Sequence, residues 1–455
     1  MIPGTPFEDA GRPPGCSRCA RRKLDAARRA CLRSLCFLEN SAAMQRVVSP
    51  STARLATWVL LLLTVHLISP PLGGSQKQAS NPPPGNVTSP KQRTPSPRGT
   101  SLSPEEFERL KKQAEEAKDA SQISEAVRLY RQILTRKAGW SEGWWYLGTL
   151  HYDSDQYALA EGAFRELTSR EPKNAHGWAM LGLCEYRTRK FAAALDHLVR
   201  GRSLGLGDNE DLARVVRYHQ ALLLNAGRQF EAAQVLLNGF AVEQRESAQV
   251  LDALGMSVLR IPRLPEDLSE GQKQMVRDFG RAAFLAAARK REESGRLYSE
   301  LETRYGKSPN VAYAYGVFLL TQKETDRALE FFKKELEQDP KHTASLLQLA
   351  LNAINAGRFQ EGLPYAQRAV TADPENFAGH YALGRIYTEL DEIPKAVATL
   401  EKAAKIAPDA PSVYFVLSRA YARAKRPVDA ARARTEFARL EALDKKRRGE
   451  ATGEP

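Results

Sequence analysis

Four cysteines near the start of the chain, Cys16, Cys19, Cys31 and Cys36, are the first residues whose types and spacing suggest chemistry. Thiolates bind zinc tetrahedrally, and a Cys-x2-Cys pair lets one loop supply two ligands. Against zinc, a basic, helix-like stretch joins the two pairs, and initiation at Met44 would leave all four out of the protein. The fifth cysteine, Cys184, falls in an apolar helical pattern and reads as a small packed residue. Gly306-Lys307-Ser308 has the end of a phosphate-binding loop, but Leu301 stands where the first glycine is needed, so it reads as a turn at a helix end. Gly201, Gly205 and Gly207 form a glycine-rich loop without a lysine. Seven histidines are scattered, with no His-Glu-x-x-His pair and none beside a serine or cysteine nucleophile in sequence. No catalytic residue, metal or cofactor is expected, and the chain reads as non-enzymatic.

The elements that must position any functional side chain are set by a 34-residue period. Leu147-Gly148, Ala160, Phe164 and Pro172 return as Leu181-Gly182, Ala194 and Leu198. The same phase reappears in Gly316, Ala328, Phe332 and Pro340, then in Ala350, Gly362, Ala366 and Pro374. Leu383-Gly384, Tyr387, Ala396, Leu400, Ala403 and Pro408 follow, and Leu417, Tyr421 and Ala430 open one more turn. Gly or Ala in a first helix and Ala in a second let two antiparallel helices approach closely, while Trp144, Trp178, Phe164 and Tyr421 fill the space between pairs. Each proline ends a pair, because it cannot continue a helix. Ser103-Pro104-Glu105-Glu106 has the cap, proline and acids of a helix start, and the polar first helix after it suits an end cap.

This period and residue set resemble the tetratricopeptide repeat family, whose unit is a helix, a turn and a helix. The resemblance covers residues 107–208 and 309–443 by phase and implies an all-α, right-handed solenoid over residues 105–443, about ten repeat lengths with a degenerate middle at 209–308. Within that middle, residues 260–272 carry two prolines and no apolar periodicity, so a loop is expected to interrupt or tilt the stack.

The resemblance also implies that first helices line a concave groove that binds protein or peptide partners. On the register above, the groove would display Trp145, Thr149 and Tyr152, then Tyr313 and Asn355, then Tyr381, Arg385, Phe415, Arg419 and Arg423. Aromatic and guanidinium groups together suit an acidic or planar ligand. Repeats of this family that clamp a chaperone's C-terminal carboxylate use Lys and Asn in successive first helices. Here Trp145 and Thr149, then Ala179 and Leu183, occupy those places, which argues against that ligand.

The net charge of +13 invites a nucleic-acid reading, but its distribution does not support one. Residues 1–54 and 75–100 together hold +10 of it, leaving the repeats nearly neutral where a phosphate-tracking groove would be basic. No nucleic-acid partner is expected. Residues 444–455, with Lys445, Lys446, Arg447 and Arg448, read as a basic flexible tail.

Within residues 55–74 lies the uncharged run LATWVLLLLTVHLI, preceded by Arg46 and Arg54 and followed by prolines and glycines. It reads as a signal peptide or a single membrane anchor behind the basic segment 1–54. Either form would place the repeats outside the cytoplasm, in a periplasm or tethered to the inner membrane, on a Pro/Ser-rich disordered linker at 75–104. The layout is similar to that of exported bacterial proteins of the same family. Two other readings stay open: an enzyme or enzyme regulator with its site in the irregular middle, and nucleic-acid binding by the basic termini.

Overall fold

Nineteen α-helices and no strand are found among the described residues, which in this computed structural model are 102–207 and 209–452. The cysteine cluster, the apolar run and residues 75–101 of the linker lie outside them. The helices are α1 (Pro104–Asp119), α2 (Ile123–Arg136), α3 (Ser141–Asp153), α4 (Tyr157–Arg170), α5 (Ala175–Arg187), α6 (Phe191–Ser203), α7 (Glu210–Ala226), α8 (Phe230–Val242), α9 (Ala248–Val258) and α10 (Glu270–Ala287). They continue as α11 (Arg291–Tyr305), α12 (Val311–Thr321), α13 (Thr325–Gln338), α14 (Thr343–Asn355), α15 (Phe359–Ala372), α16 (Phe377–Glu389), α17 (Ile393–Ile406), α18 (Pro411–Arg423) and α19 (Pro427–Thr452). Each packs chiefly on its neighbours in sequence, as a solenoid requires.

Small residues set the pair geometry as their spacing predicts. A methyl added at Gly148, Gly182, Gly316 or Gly384 would stand within 2.5–2.7 Å of the side chain sixteen residues on, which is Phe164, Leu198, Phe332 or Leu400. All four large side chains are fully buried, so the second helix can sit this close only because the first offers no side chain there. Caps fix where first helices begin. Ser103 accepts from the Glu106 amide of α1, and Asn174 and Asn376 accept from Gly177 and Gly379 at 2.8 and 3.0 Å. α19 outruns the other second helices, so residues 444–452, set apart in the sequence as a tail, continue a helix.

The turn between the two helices of a pair passes through one residue in the left-handed region. These residues recur 34 apart at Ser121, Asp155 and Arg189, and again at Arg289, Lys323, Gly357, Asp391 and Lys425. Only Gly357 takes that conformation without steric cost.

Between those two series the period breaks, and the structure shows why. The segment around Gly205–Gly207 lengthens one link, so Ala221 of α7 follows Gly182 by 39 residues. Gly255 of α9 falls 34 residues later, in phase, but its successor Ala282 is only 27 residues on. The chain leaves α9 at Arg260 and crosses an irregular stretch with a short 3-10 turn at Pro265–Asp267. It then enters α10, which packs against both α9 and α11. α10 is therefore the second partner of α9 and the first helix of the pair with α11. At its crossing with α9 two glycines meet backbone to backbone: a methyl on Gly255 would overlap the Val276 carbonyl, and one on Gly280 the Leu251 carbonyl.

Candidate functional site

First helices of successive pairs touch one another, α5 with α7, α7 with α9, α14 with α16 and α16 with α18, and so form one layer. Its solvent side is where side chains outside the pair cores can meet a partner. Trp145 lies half-buried on α3, its ring edge-on to Phe164 at 5.7 Å and His176 at 6.3 Å. Tyr152, two turns later, is half-buried against Tyr157 at 5.3 Å, and Arg187 from α5 lies over the Tyr157 ring. Burial pushes the Tyr152 phenol above its ordinary range, so it stays a neutral donor.

At the other end, Tyr381 stacks on Phe377 at 6.1 Å and Asn355 is exposed at the end of α14. Phe415 keeps 49% of its surface exposed while its ring meets Phe437 of α19 at 5.6 Å. The three arginines differ in what they can offer. Arg419 is paired with Glu389 at 3.0 Å, and Arg423 with Asp391 at 2.8 Å as well as the Thr388 carbonyl. Arg385, half-buried between Tyr381 and Glu389 on α16, has no ion pair among the described residues.

Tyr313 is buried rather than displayed, with 6% of its surface accessible. Phe332 and His342 flank its ring at 5.7 and 5.1 Å, and the Arg260 guanidinium covers it at 5.4 Å. Arg260 is also paired with Glu231 of α8 and stacked on Phe230 at 4.7 Å. The cause is the irregular stretch after α9, which lays its residues over the layer of first helices.

Around Tyr313 sits a polar knot that the sequence reading passed over. The Glu335 carboxylate, 1% exposed, accepts from the Asn310 and Tyr313 amides at 2.8 and 3.1 Å and so caps α12. Burial raises its pKa against the pull of those amides. His342 caps α14, its Nδ1 accepting from the Ser345 amide at 3.3 Å, so the Nε2 proton is the one donated to Asn310 Oδ1 at 2.9 Å. Its place was legible, since it stands 34 residues before the capping Asn376. A second half-buried imidazole, His219 of α7, lies edge-on to Tyr186 at 4.7 Å. Burial pushes both histidines down to about 4.

Among the described residues, no helix is long and apolar enough to cross a membrane, and no three or more His, Cys, Asp or Glu gather as a metal site. Residues 146–200, 279–343 and 347–411 match the tetratricopeptide repeat family model. The first, the third and about half of the second fall where the sequence phase is regular, while the second opens in α10 and so takes in α10 and α11. No curated protein matches the chain. Among solved structures, a MamA double mutant of RS-1 aligns at 21% identity over 39% of this chain and 97% of its own, with a TM-score of 0.35. MamA from Desulfovibrio magneticus RS-1 aligns at 21% identity over 38% and 97%, at 0.34. YrrB, described as a tetratricopeptide repeat protein with an unusual peptide-binding site, aligns at 15% identity over 39% and 94%, at 0.33. Three stretches of the chain, residues 146–200, 279–343 and 347–411, thus carry tetratricopeptide repeats, in keeping with the 34-residue helix pairs described above.

Proposed function

We propose that this protein is a non-enzymatic scaffold whose first-helix layer docks an extended, acidic segment of a protein partner. The observation that carries this reading is Arg385: a half-buried arginine with no ion pair among the described residues, one turn from Tyr381 on α16, with the half-exposed Phe415 on α18, the next first helix. A carboxylate placed there would gain a charge-assisted contact of about 1.5–3 kcal/mol before desolvation. Arg419 and Arg423 already hold acids, so they contribute less to a ligand than their charge suggests. Trp145 and Tyr152 offer an aromatic surface near the other end.

Arg385→Ala is expected to weaken capture of the partner at least tenfold in pull-downs with the full chain, with helicity unchanged by circular dichroism. Replacing Lys445 and Lys446 by Ala is expected to leave capture within twofold. Dependence on the tail with indifference to Arg385 would show that the first-helix layer is not the docking surface.

We further propose that the repeats work outside the cytoplasm, on the strength of the run LATWVLLLLTVHLI behind Arg46 and Arg54. Protein isolated from its host is expected to lack residues 1–43 on N-terminal sequencing, and to fractionate with the envelope. Abundant peptides containing Cys16 and Cys19 in a cytoplasmic fraction would reverse that assignment.

A further inference from the structure

The stretch between α9 and α10 is the most unusual occupant of the first-helix layer. Pro262 and Pro265 have no amide to donate, and among the described residues the stretch's backbone bonds are all local, such as Ile261 to Met256 and Asp267 to Leu264. Side chains hold it down instead. Leu264 and Leu268, 3% and 6% exposed, are buried in the same apolar cluster against which Tyr186 of α5 and Tyr218 of α7 pack. Arg260 covers Tyr313 of α12 on the other side. Between the two leucines, Glu266 and Asp267 are exposed at the tip of the 3-10 turn. Their charge is felt at Tyr186: burial, with Glu266 and Asp267 acting against Arg187 and Arg189, pushes that phenol up to about 12. An acidic turn, two leucine anchors and a wall of tyrosine and arginine are the complementary parts of a peptide complex, here supplied by one chain.

We infer that residues 260–268 are a built-in ligand: they fill the central part of the docking layer, leave it open to partners only on either side, and define the chemistry that part binds in trans. That chemistry is a short peptide, uncharged overall, whose proline-initiated acidic turn lies between two leucines four residues apart. The inference rests on the docking role of the first-helix layer, but concerns α5, α7 and α12 rather than the Arg385 region.

The test uses the full chain and a fluorescent synthetic peptide of residues 260–270, RIPRLPEDLSE. Wild-type protein is expected to bind it negligibly, because the site is filled. The Leu264→Ser, Leu268→Ser double variant is expected to bind at least tenfold more tightly, and a peptide with both its leucines replaced by serine is expected to lose that gain. A folded double variant that binds no better than wild type overturns the inference. Should that variant lose helicity, Glu266→Lys with Asp267→Lys decides instead, since both side chains are exposed. Faster amide exchange confined to 259–269, with tighter peptide binding, supports the inference, and unchanged exchange or binding overturns it. Capture through Arg385 is read separately and stands or falls by its own variant.

Discussion

Gly255→Ala and Gly280→Ala are each expected to destabilise the protein by about 3 kcal/mol or more, at the top of the range for overpacked cores. At most close contacts in this array the intruding methyl would meet a side chain, as Phe164 faces Gly148, and a side chain can change rotamer. At the crossing of α9 and α10 it would meet the Val276 or Leu251 carbonyl, whose position is fixed by its own helix. The helices would have to separate, uncovering Leu254, Val276 and Phe279, all fully buried. With total stabilities of about 5–15 kcal/mol, one such change removes a large share. Gly162→Ala is the control, because nothing lies within 4 Å of a methyl added there, and it should be neutral or gain up to about 1 kcal/mol in helix propensity. Urea midpoints for the three variants check this, and equal midpoints for Gly255→Ala and Gly162→Ala would show that the crossing is looser than described.

Acid should begin to destabilise the fold below about pH 6.5, where most exposed carboxylates are still charged. His342 and His219 ordinarily lose their protons near 6.5, but burial, aided by Arg260 for the first and Arg187 for the second, pushes each down to about 4. Asp339 pulls His342 the other way, and the Val215 carbonyl bond does so for His219, without reversing either shift. A depressed histidine means the unfolded chain takes up protons that the fold refuses. The stabilisation is complete above pH 6.5 and is lost as pH falls towards 4, up to about 3 kcal/mol for each imidazole. For His342 the structural event is specific, since a proton on Nδ1 replaces the acceptor that caps α14 and sets a positive charge at a helix start. His342→Asn restores the cap residue found 34 positions later at Asn376 and is expected to flatten the fall in thermal midpoint between pH 7 and 5. Adding His219→Gln should flatten it further, and a pH slope unchanged in the double variant would refute this account.

Where the period holds, the sequence alone was enough to place helices and their pairing, because the closest-packed positions demand glycine or alanine. Gly148, Gly182, Gly316 and Gly384 each make the close approach that the pattern implies, but they face the large residue sixteen positions on, where the register alone had set the alanine twelve positions on. In the middle the same logic failed for a physical reason. Gly255 and Gly280 are as informative as any other glycine, but they face carbonyls of each other's helices, and no 34-residue spacing connects them. Legibility of the proposed docking surface was also partial. Trp145, Tyr152, Tyr381 and Arg385 lie on first helices as expected. That Arg419 and Arg423 are answered by Glu389 and Asp391, at the end of the preceding first helix and just beyond, is a matter of three-dimensional reach. Likewise, nothing in the spacing of Tyr313 announces that Arg260 will cover it.

The double use of α10 bears on how such a chain can change in length. In a regular array each helix pair contacts only its neighbours, so a unit can be duplicated or lost and the ends rejoin on matching surfaces. α10 belongs to two pairs at once, so no cut on either side of it releases a whole unit. Whole pairs can be gained or lost where the period is regular and the stretch after α9 makes no contact, while α9 to α11 must be inherited as one joint.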